Sequence, residues 1–231
     1  MALIKIALQA GHEGRTSGAT GAPGEIELTV RIRNRLSQIL ISKGFQVYLF
    51  NADPPAAQLN QVFNLFLSLH GDANVYGTGG GFADYPEPSV DKATAESQRI
   101  CRFINDSYFS ETGIRYVNRS NKNTRYYYMW KMLSARTPCV LLEMGVVQDA
   151  HDKVLLANTE LIANAIARAV SRAFDVPFDI PIPQPDYKAQ IASLNKQITD
   201  LKNSLEAKNV ELKNYKNKVR LNLTDWINSN T

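Results

Sequence analysis

Two of the three histidines in this 231-residue chain occupy matched settings. His12 lies in Gln9-Ala-Gly-His-Glu-Gly14, and His70 in Phe66-Leu-Ser-Leu-His-Gly-Asp-Ala-Asn74. Each ends an apolar run and has a glycine beside it, which lets another group approach closely. Two such histidines with nearby carboxylates are the ingredients of a hydrolytic zinc centre, where two His and one acid leave a fourth position for water. Glu25 opens a candidate helix after the glycine-rich loop and can turn back towards His12. An acid there also suits the helix N-terminus on electrostatic grounds alone. Glu27 and Glu13 are the competing carboxylates. Glu143 ends the apolar run Cys139-Val-Leu-Leu-Glu143, where an ionised carboxylate is costly without a partner. An ion pair would serve; so would water activated by a metal, which makes Glu143 a candidate general base. His151, in Gln148-Asp-Ala-His-Asp152, reads as structural or peripheral.

The elements that must position these groups follow from periodicity. Residues 3–8 form a buried strand. Residues 25–43 are helical, with Leu28, Ile32, Leu36 and Ile39 on one stripe and Gly44 as the stop. Further strands are expected over 45–50, 62–69, 79–85 and 138–143. Further helices are expected over 92–108, 124–135 and 156–174, the last burying Ile162, Ile166, Ala169, Val170 and Ala173. Strands alternating with helices imply an α/β fold, a mainly parallel sheet with helices on both faces. Working groups in such sheets gather at the carboxyl ends of strands, where His12, His70 and Glu143 fall.

Composition narrows the class. Net charge is +4, too mild to argue for nucleic acid, and no apolar run is long enough to span a membrane. The N-terminus runs straight into the first strand without the pattern of a signal peptide, so synthesis in the cytoplasm is expected. Cys101 and Cys139 read as small buried thiols rather than a disulfide framework or metal site. All 13 glycines lie at or before Gly145, and all 10 prolines at or before Pro185.

That edge divides the chain into residues 1–175, a linker at 176–185 and a tail at 186–231. Four prolines in nine residues give the linker an extended, semi-rigid character. The tail repeats every seven residues: Ile191, Ile198, Leu205, Leu212 and Val219 at a, and Tyr187, Leu194, Leu201, Lys208 and Tyr215 at d. This specifies a helical coiled-coil tail and self-association through it, with an amphipathic helix packed on the first domain as the competing reading.

In this order, the residues resemble the zinc-dependent N-acetylmuramoyl-L-alanine amidases, the family of cell-wall-lytic and phage lysin catalytic domains. The resemblance covers residues 3–174. The family's Gly-His-Gly-Gly-like opening matches Gly11-His-Glu-Gly14. Its helix-opening glutamate and Lys-Gly-(aromatic/apolar)-x-Val ending match Glu25 and Lys43-Gly-Phe-Gln-Val47, which favours Glu25 over Glu27. Ser-x-His-x-x-Ala-Asn matches Ser68 to Asn74, Glu-Ser before a helix matches Glu96-Ser97, and Pro-x-x-Leu-x-Glu-x-Gly matches Pro138 to Gly145. Two departures stand out. Gln9-Ala10 replaces the family's usual aspartate ahead of the first histidine, which alters a contact behind the metal site. Met144-Gly-Val-Val-Gln-Asp149 lacks the family's frequent Phe and Ser-Asn.

The resemblance implies an open, twisted, mainly parallel sheet in which His12, Glu25 and His70 hold Zn2+ and Glu143 acts as general base. It implies cleavage of bacterial peptidoglycan at the amide between N-acetylmuramic acid and L-alanine, and with no export signal it suits a phage or prophage endolysin acting on the cell wall. Asn74, and Arg119 and Lys122 in the polar loop 118–124, are the candidate substrate-binding residues. The aromatics of Tyr126-Tyr-Tyr-Met-Trp130 are expected mostly to pack, with one or two exposed. Competing readings are another zinc amidohydrolase or peptidase, and an inactive wall-binding scaffold.

Overall fold

The apolar run at residues 3–8 becomes β1 (Lys5–Ala10) in a computed structural model describing residues 3–15, 21–73, 77–90, 94–178 and 187–229. There follow α1 (Glu25–Ser42), β2 (Gln46–Phe50), α2 (Ala56–Leu59), β3 (Leu65–Asp72), β4 (Phe82–Asp84) and α3 (Thr94–Thr112). The chain continues through α4 (Lys122–Arg125), α5 (Met129–Met132), β5 (Cys139–Val146), α6 (Ala150–Ala157), α7 (Thr159–Ala173) and α8 (Tyr187–Ser229). The five strands form one sheet in the order β2-β1-β3-β5-β4. All neighbours are parallel except β4, which closes the β5 edge antiparallel. The chain divides into two compact units, Met1–Ile182 and Pro183–Thr231.

The two sheet faces are covered differently. On one, Ile6, Leu8, Leu67, Leu69, Val140 and Leu142 pack against the stripes of α1, α3 and α7, including Leu28, Ile32, Leu36, Ile104 and Ile166. Each fully buried aliphatic side chain there is worth about 1.5–3 kcal/mol. On the other, Ala7, Phe50, Phe66, Cys139 and Leu141 meet Leu59, Phe63, Met129 and Trp130, from loops and short helical turns rather than long crossover helices. That second face turns polar towards the carboxyl ends of β1, β3 and β5, and there the site forms.

Several expected elements differ in extent. The expected strand over 62–69 runs instead to Asp72, so His70 lies within β3, and Glu143 likewise lies within β5. The helix expected over 124–135 is two separate turns, α4 and α5. Asn121 begins α4 with a capping box, and the Trp130 indole N–H donates to the Thr124 carbonyl at 3.0 Å, diverting the chain after Tyr126. The helix expected over 156–174 starts earlier and breaks at Asn158, which ends α6 and whose side chain accepts from Leu161 N to begin α7. Glu96-Ser97 lies inside the first turn of α3 rather than before it.

Of the expected linker, Val176 and Phe178 belong to the first unit and pack on its core. The Phe178 ring lies under the Arg168 guanidinium at 4.4 Å and the Lys43 ammonium at 4.7 Å. Residues 179–185 of the linker lie outside the described residues. In the second unit α8 is a single helix of 43 residues, about 65 Å long at 1.5 Å per residue. Ile198, Leu201, Leu205, Leu212, Tyr215 and Val219 are between 47% and 70% exposed, and Trp226, also exposed, continues the a register. The side chains of Tyr187, Ile191 and Leu194 lie outside the described part.

Candidate metal centre

β1 delivers the chain into a tight turn at Gly11 and His12. A Cβ at Gly11 would sit 2.5 Å from the His70 ring, so only glycine lets β1 pass that close to β3's histidine. His12 itself has φ 62, a left-handed conformation that non-glycine residues rarely adopt and that aims its ring back over the sheet end. Glu25 is the first residue of α1, following Gly24 in the left-handed region. Helix start, turn and strand end thereby meet: one ligand atom each from His12, Glu25 and His70 lies within 4.8 Å of the others. Glu25 Oε1 is 3.4 Å from His12 Nε2 and 3.2 Å from His70 Nδ1, and the two imidazole rings stand edge-on at 5.1 Å.

The electrostatics suit a cation. Burial works to raise the Glu25 carboxyl, but the adjoining His70 and His12 rings and the Ala22 N–H hold it below the usual carboxylate range. Burial pushes the His70 imidazole down against the pull of Glu25, which favours the neutral ring that metals bind.

Glu143 faces His70 directly in the β3–β5 register. The register then slips, with Asp72 opposite Val146, so β5 carries an extra residue just beyond Glu143; such bulges re-aim side chains. Burial drives the Glu143 carboxyl well above its ordinary range, reinforced by the negative charges of Glu25 and Asp72 and opposed by Arg119. Its Oε2 is closed off from solvent and has no hydrogen-bond partner among the described residues.

The remaining sequence candidates scatter. Glu13 pairs with Arg33, and Glu27, in the same first turn of α1 as Glu25, is exposed. His151 is 69% exposed, in the first turn of α6 behind the cap made by Asp149. Arg119 is engaged with Asp72 at 2.8 Å and with the carbonyls of Thr78, Gly79 and Gly80, so it clamps the strand-approaching loop at Glu143's side. Lys122 is exposed at the start of α4. Asn74 lies outside the described residues. Both cysteines are buried thiols outside any disulfide, and burial pushes the Cys101 thiol up to about 12. Of the aromatic run, Trp130 is fully buried, Tyr127 and Tyr128 are partly buried, and Tyr126 is exposed. Sequence reasoning missed Ser68 and Tyr127 beside His70; the signal was a serine inside an apolar strand, two residues from the histidine and so on its face.

A family model described as N-acetylmuramoyl-L-alanine amidase matches residues 6–173, from β1 to the last turn of α7 and across every residue of this centre. The chain belongs to this family. Three solved structures, two of them of N-acetylmuramoyl-L-alanine amidases, share the fold. Ami1 of Mycobacterium smegmatis aligns at TM-score 0.62 and 17% identity over 75% of this chain and 98% of its own. AmiC2 of Nostoc punctiforme gives 0.59 and 19%, over 74% and 97%. The catalytic domain of the CD27L endolysin, which targets Clostridia difficile, gives 0.50 and 18%, over 73% and 97%. No curated protein matches the chain. A peptidoglycan substrate is consistent with membership of this family, and no described helix is long and apolar enough to cross a membrane.

Proposed function

We propose that this amidase is zinc-dependent, cleaves the bond between N-acetylmuramic acid and L-alanine of the stem peptide, and serves as a phage or prophage endolysin. The observation that carries the reading is the convergence of His12, Glu25 and His70, with the uncompensated Glu143 Oε2 on the adjoining strand. Two imidazoles and one carboxylate are the donor set of a hydrolytic zinc site, and the orphaned Glu143 oxygen is a group that such a site would employ. Zinc bound there supplies Lewis acidity and lowers the pKa of water.

The chain's own residues do the rest. Glu143 takes a proton at Oε2 from the attacking water. It returns that proton to the alanine nitrogen as the carbon–nitrogen bond breaks. The products are a glycan with a free lactyl carboxylate and a stem peptide with a new N-terminal L-alanine. Arg119 holds residues 78–80 and tempers the charge beside Glu143, while Lys122 offers its ammonium to stem-peptide carboxylates. Asn74, four residues beyond His70, is assigned to substrate contact. In the tail, the exposed a and d positions are the surface for a second copy of this chain, their seven-residue register being that of a coiled coil.

Digestion of purified peptidoglycan with mass analysis of the products tests the activity. Intact stem peptides beginning with L-alanine are expected; reducing sugar ends, or cuts within the peptide, would overturn it. One zinc per chain, lost in His12→Ala, is expected by elemental analysis, and a zinc-free wild type would sink the metal assignment. An endolysin should lyse cells from within only when the inner membrane is opened.

A further inference from the structure

Behind His70 runs a chain of neutral hydrogen bonds. β1 and β3 pair so that Gln9 lies opposite Ser68, and Ser68 and His70, two residues apart, share one sheet face. Gln9 and Ser68 are fully buried in strands that are otherwise apolar. A buried polar group left without a partner costs about 1–3 kcal/mol, so where these groups bond is informative. The Gln9 Nε2 donates to the carbonyls of Asn51 and Ala52 at 3.2 and 3.3 Å. Carbonyls only accept, which settles the orientation of the amide. Its Oε1 therefore faces Ser68, whose hydroxyl donates to it at 2.6 Å, and the Tyr127 hydroxyl donates to the same oxygen at 3.3 Å. The Tyr127 ring also stands edge-on to His70 at 5.4 Å.

With its single proton committed to Gln9, the Ser68 oxygen is left to accept from His70 Nε2, 3.1 Å away. His70 then carries its proton on Nε2 and turns the Nδ1 lone pair towards Glu25 Oε1, 3.2 Å away. Two acceptors at that distance without a proton between them call for a cation.

We infer that Gln9, Ser68 and Tyr127 are positioning residues that lock His70 in the Nε2–H tautomer and so make Nδ1 its metal-binding atom. The inference rests on the zinc reading above. The partner of a ligating histidine's second nitrogen sets the ring's tautomer and orientation, and its loss typically weakens metal binding about 10–100-fold. Here that partner is a hydroxyl backed by an amide, so no carboxylate charge stands behind the ring.

The test uses the full chain, stripped of metal and labelled with 15N in its histidines. Long-range 1H–15N spectra of the wild type are expected to show the His70 proton on Nε2, and zinc to perturb Nδ1. A zinc-perturbed Nε2 would overturn the proposal, and this decision needs no variant to fold. Ser68→Ala should mix the tautomers and weaken zinc binding about 10–100-fold in competition with a chromophoric chelator. Gln9→Met should act in the same direction, and Ser68→Thr, which keeps the hydroxyl, should restore affinity. A Ser68→Ala chain that melts lower but keeps wild-type affinity and tautomer would reduce the relay to a packing feature and overturn it. Wild-type protein that takes up no zinc would instead overturn the reading of the whole site.

Discussion

Glu143 carries two opposed requirements. Its carboxyl is sheltered next to Glu25 and Asp72, which keeps the proton on, while the proposed chemistry needs a base that can take one. In the metal-free protein this has a definite sign. A carboxyl whose folded pKa is raised costs nothing while it is protonated in both states. It destabilises the fold progressively as pH rises past the unfolded value, about 4.3, towards the folded one. Glu143→Gln should therefore raise the metal-free melting temperature at pH 7 and leave it nearly unchanged at pH 4, as scanning calorimetry would register. The same variant should keep its zinc and lose about 10²–10⁴-fold in turnover. Arg119 opposes the rise, so Arg119→Ala should move the acid limb of the pH–rate profile upward; an unmoved limb would mean that Arg119 does not act on the Glu143 carboxyl. His12, His70 and Glu143 were legible in the sequence because each ends a recognisable apolar run. The Gln9–Ser68–His70 chain was not, because the pairing of β1 with β3 is a contact across 59 residues.

At the scale of elements, the sheet's two faces had different legibility. The α1, α3 and α7 stripes follow a helical period that survives any environment, and the expected core residues of α7 are indeed buried. Ile166 is fully enclosed, and Ile166→Ala should cost about 2–5 kcal/mol in chemical denaturation. On the opposite face, apolar and aromatic residues over 124–135 looked like one helix. There Trp130 is buried against Phe66 while its indole takes the Thr124 carbonyl, and this packing outweighs local propensity. Gly11 shows the same dependence from the other side. Gly11→Ala should weaken zinc binding and lower the melting temperature together, because the added methyl meets the His70 ring; binding at wild-type strength would show that the ring can yield.

For the whole molecule, an amidase facing a polymeric wall gains avidity if two copies are joined, without any new contact at the active site. Lys208 interrupts the d positions and pairs with Glu211 at 2.7 Å, so the Ile198–Leu205 stretch is the stronger part of the seam. The double variant Leu201→Glu, Leu205→Glu keeps good helix formers while charging that seam. In sedimentation velocity it should turn an associated chain into a monomer. Cleavage of small soluble substrates should be unchanged, and digestion of whole sacculi slower. A wild-type monomer would end the coiled-coil proposal.

The sequence by itself determined the residue types of the centre, their order, the helix that begins at Glu25, and the compositional break before the tail. These depend on chemistry and period carried along the chain. Only the tertiary structure brought Glu25 against both histidines, set Glu143 opposite His70 across a strand pair, and stood Gln9 and Ser68 behind the His70 ring. Those outcomes depend on register and close approach between segments far apart in sequence, and neither quantity exists until the sheet has formed.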